Sequence, residues 1–244
     1  MSDPQISIII PVYNEARRLP RALDKVLPFL ADFRHTWEII IVENGSTDNT
    51  YHIANDYAWE NPDVYVIRSK PAKGQAVKTG MLYASGRWRY MCDVDLSTPI
   101  HYLPRFLAMG QGSLAEQGAP IVIGSREVQE SQRINEPKRR HTMGRAFNRV
   151  VQSVLIPGIS DSQCGFKLFR GDVVEKLFTQ QTLKGWAFDV EILYLARLMN
   201  LQVIELGVPW TYDPDSRVRP GRDALAMLRD LWQVKRNALI GVYG

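Results

Sequence analysis

The 244-residue chain is 45% hydrophobic and 23% charged with a net charge of +4, which is long enough for one sizeable α/β domain and ordinary for a globular protein. The mild positive balance suits phosphorylated ligands or an anionic membrane face, and it excludes the dense basic stripe of a nucleic-acid binder. No apolar run reaches the roughly 18 residues of a membrane-spanning helix, and the opening MSDPQISIII lacks the basic stretch of a signal peptide. The two cysteines, Cys92 and Cys164, lie far apart without metal-ligand spacing, as expected in a reducing cytoplasm.

In chain order, ISIII (6–10) is a near-continuous apolar strand, which predicts a sheet covered by helices on both faces. An amphipathic stretch at 15–32 predicts a helix, followed by strand WEIIIV (37–42), helix 48–59 and strand VYVIR (64–68). Helix 74–85, strand RWRYMC (87–92), helix 101–116 and strand PIVIG (120–124) continue the alternation. Helices at 140–154, 171–180 and 187–199, strand QVIEL (202–206) and helix 221–239 complete it. The pattern predicts an α/β fold around a mostly parallel sheet. The polar stretch REVQESQRINEPKRR (126–140) predicts a mobile loop.

Open parallel sheets bind ligands beyond the carboxyl ends of their strands. Parallel strands here would bring PVYNE, ENGSTDNT, DVDLSTP and GSR to one edge. In ENGSTDNT the Asn-Gly pair turns sharply and Ser46 to Asp48 can cap the next helix. Asn44 also offers a donor and an acceptor, the complement of a nucleobase edge. In DVDLSTP, Asp93 and Asp95 either end the strand and cap a helix or, with a nucleotide diphosphate, hold Mg²⁺ or Mn²⁺. Two carboxylates this close repel one another unless a cation lies between them. Lys73 and Lys78 flank Gly74, where a helix start favours anions. Further cations cluster at Arg126, at Lys138, Arg139 and Arg140, and at Arg217 and Arg219.

These segments, in this order, resemble the family 2 glycosyltransferases of the GT-A (Rossmann-like) fold from about residue 5 to about 235, carried first by IIPVYNE, IIIVENGSTDNT, KGQAVKTGM and DVDLSTP. The later segments GSR, RRHTMGRAFN, ISDSQCGFKLFR, GWAFDVEIL and VPWTYDPDSRV are similar to the polyprenyl-phosphate glycosyltransferases, nearest to their dolichyl-phosphate β-glucosyltransferase branch. The resemblance implies a single GT-A domain over 1–244, with a nucleotide-sugar half at about 1–118 and an acceptor half at about 119–244. It implies inverting transfer of a hexose, glucose favoured, from a UDP-sugar to a polyprenyl or dolichyl monophosphate, with Mg²⁺ or Mn²⁺. Pro11, Tyr13, Glu15, Asn44, Lys73, Asp93 and Ser216 would bind the donor, and Asp93 and Asp95 the metal, Asp95 more directly. Arg126, Arg139, Arg140, Gln163 and Lys167 would take the acceptor. Asp189 and Glu191 would approach the sugar, and Arg217 would close over the diphosphate. The residues expected to carry the chemistry are Asp95, Asp189, Arg126, Arg139 and Arg217.

An ionised acceptor phosphate needs alignment more than a base, which makes Asp189 a sugar ligand first. A GDP-mannose-using relative of the mannose synthases and an enzyme with a soluble hydroxyl acceptor are the alternatives, and the latter would make Asp189 a base. A non-catalytic nucleotide-sugar binder is a third. The resemblance also implies a peripheral protein on the cytoplasmic face of a membrane. Two amphipathic stretches, with Met143, Phe147, Val150, Val151 and Val154 in one and Leu225, Leu228, Leu231, Trp232 and Leu239 in the other, fit either a membrane interface or packing against the sheet.

Overall fold

The structure is a computed structural model. It describes residues 4–112, 118–215 and 222–243, leaving aside the side chains of Arg139 and of 222–225. Four strands come from the first half of the chain: β1 (Ile6–Val12), β2 (Trp37–Glu43), β3 (Val64–Arg68) and β4 (Trp88–Met91). They alternate with helices α1 (Arg18–Ala31), α2 (Thr50–Glu60) and α3 (Lys73–Tyr83), and a single 3₁₀ turn leads into α4 (Leu103–Gln111). The second half contributes β5 (Ile121–Ser125), β6 (Gln132–Ile134), α5 (Lys138–Val154), β7 (Lys167–Arg170), α6 (Gly171–Gln180), α7 (Phe188–Leu198), β8 (Val203–Gly207), β9 (Pro209–Thr211) and α8 (Arg222–Leu239).

The apolar strands are buried on both faces because their period of two divides them between two cores. Ile8, Ile10, Ile39 and Ile41 pack with Leu19, Leu23 and Val26 of α1 and Phe106 of α4. Ile9, Ile40 and Val42 point the other way, against Val77 and Met81 of α3, Leu177 of α6 and Leu193 of α7. Each fully buried isoleucine of this kind contributes roughly 1.5–3 kcal/mol. Helix α1 shows how the sequence supplies such a face: Leu19, Ala22, Leu23, Val26 and Leu30 recur at helical spacing and are all buried.

The main sheet has seven strands in the order β3-β2-β1-β4-β7-β5-β8. Neighbours run parallel except at β7, which is antiparallel to both β4 and β5. The two halves of the chain therefore share one sheet. Parallel pairing brings the carboxyl ends of β1, β2, β4 and β5 to a common edge, with β1 at the switch point between β2 and β4.

Three strands were not apparent from periodicity. β7 is four residues long and framed by Lys167 and Arg170, while β6 and β9 are three residues each. The expectation of a mobile loop at 126–140 is corrected accordingly. β6 pairs with β9 in a small second sheet, and Arg133 pins the segment through 2.6 Å ion pairs to Glu127 and Glu136.

Candidate active site

A cleft of about 730 Å³ opens at the shared carboxyl edge. One wall is built from the ends of β1 and β2. Pro11, Tyr13, Glu15 and Asn44 all line it, as the sequence led us to expect. The turn after β2 is knotted to the turn after β1. The Asn14 carbonyl accepts the Thr47 N–H (2.7 Å), and Asp48 accepts the N–H of both Thr50 (3.0 Å) and Ala16 (3.2 Å).

Two residues of this wall also make contacts within the protein. The Glu15 carboxylate receives a two-pronged contact from Arg18 (2.6 and 2.7 Å), and Arg18 also reaches Asp213 at 2.7 Å. Hydrogen bonding to Glu15, against the opposing pull of burial, holds the Arg18 guanidinium firmly charged. Glu15 thus anchors Arg18 and, through it, the segment after β9. The Asn44 carbonyl accepts from the Ala72 N–H (2.9 Å) and the Ser69 hydroxyl (3.3 Å). Only its amide donor is left for a base, rather than the donor–acceptor pair expected. Ala72 itself holds φ at +145°, a conformation that L residues adopt only under constraint.

The floor is formed after β4, where Asp93 and Asp95 both line the cleft. Asp95 is folded into a tight turn by accepting the Ser97 N–H at 2.9 Å, and it is open to the cleft. Desolvation first, and the neighbouring Asp93 charge second, raise its carboxyl above the ordinary range. Asp93 is held by Lys73 at 2.8 Å. Lys73 opens α3, which sits close on the 184–188 segment: a Cβ at Gly74 would meet the Phe188 Cβ at 2.7 Å and the Gly185 carbonyl at 2.9 Å. That close approach sets the Lys73 ammonium 5.3 Å from the Trp186 ring. Burial pulls its pKa down, but Asp93, Asp189 and Asp95 together raise it above the usual lysine value.

The fit to a divalent cation follows from this donor set. Two hard oxygen ligands are present whose charges repel, and no cluster of three or more metal-binding side chains occurs among the described residues. A Mg²⁺ or Mn²⁺ held by one or two carboxylates and completed by diphosphate and water uses such a set.

The opposite wall comes from the second half of the chain. Arg126, Arg140 and Gln163 line it, with Arg133 and Trp210, which the sequence had not singled out. The Arg126 charge is already committed. Its guanidinium grips Asp161 at 2.6 and 2.8 Å, and its backbone N–H adds a 3.0 Å bond to the same carboxylate. Asp161 is fully buried, and although desolvation opposes it, Arg126 holds its carboxyl well below the usual carboxylate range. Arg140 lies 5.1 Å from the Tyr212 ring.

Asp189 lines the cleft between the two walls, in the first turn of α7. Its carboxyl is raised by desolvation, against the attraction of Lys167 and Lys73. Three expectations are corrected here. Lys167 is not on the acceptor wall; it is buried beneath the cleft with its ammonium 2.7 Å from Asp189 and 2.5 Å from the Cys164 carbonyl. Glu191 does not approach a sugar. Two helical positions past the cleft-facing Asp189 it points inward, accepting the Leu183 N–H (2.7 Å) and the Tyr243 hydroxyl (2.7 Å). Lys78 serves the fold, donating to the Thr179 and Gln181 carbonyls at the end of α6. Ser216, Arg217 and Arg219 lie outside the described residues, as does the Arg139 side chain.

A mostly parallel sheet thus carries a carboxylate pair at its carboxyl edge, facing a wall that holds Arg126, Arg133 and Arg140. The match to the glycosyl transferase family 2 profile covers residues 7–178. The chain belongs to this family, has the GT-A fold and is a glycosyltransferase. It is 36% identical over 250 residues to a dolichyl-phosphate beta-glucosyltransferase of Drosophila melanogaster, covering 98% of this chain and 77% of that one. The enzyme of that name from Dictyostelium discoideum is 32% identical, covering 98% and 76%. Among solved structures, glucosyl-3-phosphoglycerate synthase of Mycobacterium tuberculosis, in complex with Mn²⁺ and UDP-glucose, superposes with a TM-score of 0.67 at 19% identity, covering 95% of this chain and 77% of that chain.

Proposed function

We propose that the protein transfers a hexose, glucose in first place, from a UDP-sugar to a polyprenyl monophosphate presented at a membrane surface. The observation that carries this reading is the cleft's polarity. A carboxylate pair lies on one side, and on the other stand Arg126, Arg133 and Arg140, the last in the first turn of α5, which has no acidic residue of its own. The amino end of a helix favours a bound anion, and a guanidinium in its first turn adds to that preference. The names of the curated relatives support the same acceptor, and the ligands of the solved neighbour support the donor.

In the reaction, an oxygen of the acceptor phosphate forms a bond to the anomeric carbon while the bond from that carbon to the diphosphate breaks. In-line attack inverts the configuration. The phosphate is largely dianionic at pH 7, so no proton has to be removed from the nucleophile. Asp93 and Asp95 would hold a divalent ion that neutralises charge on the departing diphosphate. Asn44 and the Pro11–Tyr13 wall receive the nucleoside. Arg140 and the start of α5 align the incoming phosphate, a positional effect worth several kcal/mol. Arg126, bound to Asp161, acts on that wall chiefly as a rigid post.

No helix among the described residues is long and apolar enough to cross a membrane. The two amphipathic helices divide their apolar residues instead. Val151 of α5 and Leu231 of α8 are in the core, whereas Met143, Val150 and Val154 are exposed, as are Trp232 (67% exposed) and Leu239 (79%). Met143 and Phe147 of α5 and Met227 of α8 also line the cleft, giving a lipid chain an apolar exit from it. Outward apolar residues beside Arg229, Lys235 and Arg236 suit an anionic interface.

A panel of nucleotide sugars with polyprenyl phosphate in anionic vesicles and Mg²⁺ or Mn²⁺, scored by product mass, tests the proposal. Hexosyl polyprenyl phosphate from UDP-glucose is expected. Glycosylation of 3-phosphoglycerate or another soluble hydroxyl acceptor, with none of the lipid, would replace the reading. In the same vesicles, Trp232→Ser/Leu239→Ser should reduce co-sedimentation several-fold, and unchanged binding would remove α8 from the membrane contact.

A further inference from the structure

A lysine in the interior of a sheet is costly unless its charge is matched. Lys167 is 1% exposed. It is the first residue of β7, paired in register with Met91 at the end of β4 and with Ile123 of β5. Because β7 runs against both neighbours, its first residue lies at their carboxyl ends, beneath the cleft floor. From there the ammonium reaches Asp189 at 2.7 Å, with the Cys164 carbonyl as its second partner at 2.5 Å. Asp189 is thus flanked by two cations in different situations. Lys73 lies on the cleft side and is shared with Asp93, while Lys167 lies on the sheet side and is fixed by strand pairing. Lys167 does not line the cleft, whereas Asp189 does.

We propose that Lys167 is a positioning residue: its buried ammonium fixes the orientation and charge of the Asp189 carboxylate so that Asp189 accepts a hydrogen bond from a hydroxyl of the transferred sugar. This rests on the reading of Asp189 as a sugar ligand. Asp189 is the one cleft-lining side chain that the ammonium contacts, while its other partner, the Cys164 carbonyl, belongs to the fold. Methionine is the closest uncharged replacement in length and volume.

A double-mutant cycle tests the assignment, using Lys167→Met, Asp189→Asn and the pair together in the full chain with the donor, acceptor and ion that support turnover. Lys167→Met should lower kcat about a hundredfold while the affinity for UDP with Mn²⁺, measured by calorimetry, stays within about threefold, because UDP lacks the transferred hexose. Adding Lys167→Met to Asp189→Asn should lower kcat by less than about threefold further, since two residues acting as one unit are not additive. The doubly neutral variant should also recover most of any thermal-midpoint loss in Lys167→Met, so the comparison with Asp189→Asn stands even where the single variant folds poorly. Multiplicative losses, with Asp189→Asn itself impaired, would overturn the role of Lys167 alone. Full activity of Asp189→Asn would overturn the sugar-ligand reading and this inference with it.

Discussion

On the proposed mechanism Asp95→Ala is expected to lower turnover about a thousandfold, because a divalent ion held there would supply several kcal/mol of charge stabilisation to the leaving diphosphate. Asp95 is the carboxylate available for direct coordination: it is open to the cleft and shaped by the Ser97 turn, whereas Asp93 is engaged by Lys73. The proximity of Asp93 already raises the Asp95 carboxyl, and a divalent ion relieves that repulsion. Removing Asp95 leaves one ligand, which Lys73 competes for. Titration of Mn²⁺ into the UDP-bound variant, read by paramagnetic resonance, should show affinity falling at least tenfold. Near-normal turnover of the variant with either Mg²⁺ or Mn²⁺ would remove the ion from the mechanism.

The largest expected loss of stability is at Arg126→Met. The Asp161 carboxylate is fully buried, and Arg126 supplies both side-chain contacts and a backbone N–H to it. Breaking such a pair from one side costs about 3–5 kcal/mol because the other charge is stranded. For a chain of this size that corresponds to a fall in Tm of roughly 6–20 °C. Arg126→Met/Asp161→Asn should recover most of it. The pH dependence separates this cause from simple loss of packing. Asp161 is held well below the ordinary range in the native protein, so the pair's contribution is present above the unfolded carboxyl pKa of about 4 and drains away as pH falls further. In Arg126→Met the stranded carboxyl shifts upward instead, so the variant's deficit should shrink as pH is lowered from 7 toward 5. A deficit constant over that range in chemical unfolding would point to packing alone.

The sequence is most informative where a regular period meets a polar stop. The apolar strands and the helices of both faces are legible because burial on two sides imposes continuous apolar runs, and one-sided burial imposes helical spacing. The carboxylate pair is legible as a place because DVDLSTP follows such a strand. What escaped was set by partners distant in the chain. Arg18 is one of several arginines in its neighbourhood until Asp213 is brought beside it. Asp161 reads as a loop acid until β5 delivers Arg126. Lys167 and Glu191 read as cleft residues because they stand beside true ones, but strand register turns the first under the floor and helical rotation turns the second inward. Short strands such as β6 and β9 carry too few residues to show a period.

The reversed strand has one more consequence. Residues 167–170 are inserted between β4 and β5, so the inner edge of β4 has no partner until a much later part of the chain has been made. The cleft is therefore lined by residues of both halves of the chain, and neither half holds all of it alone.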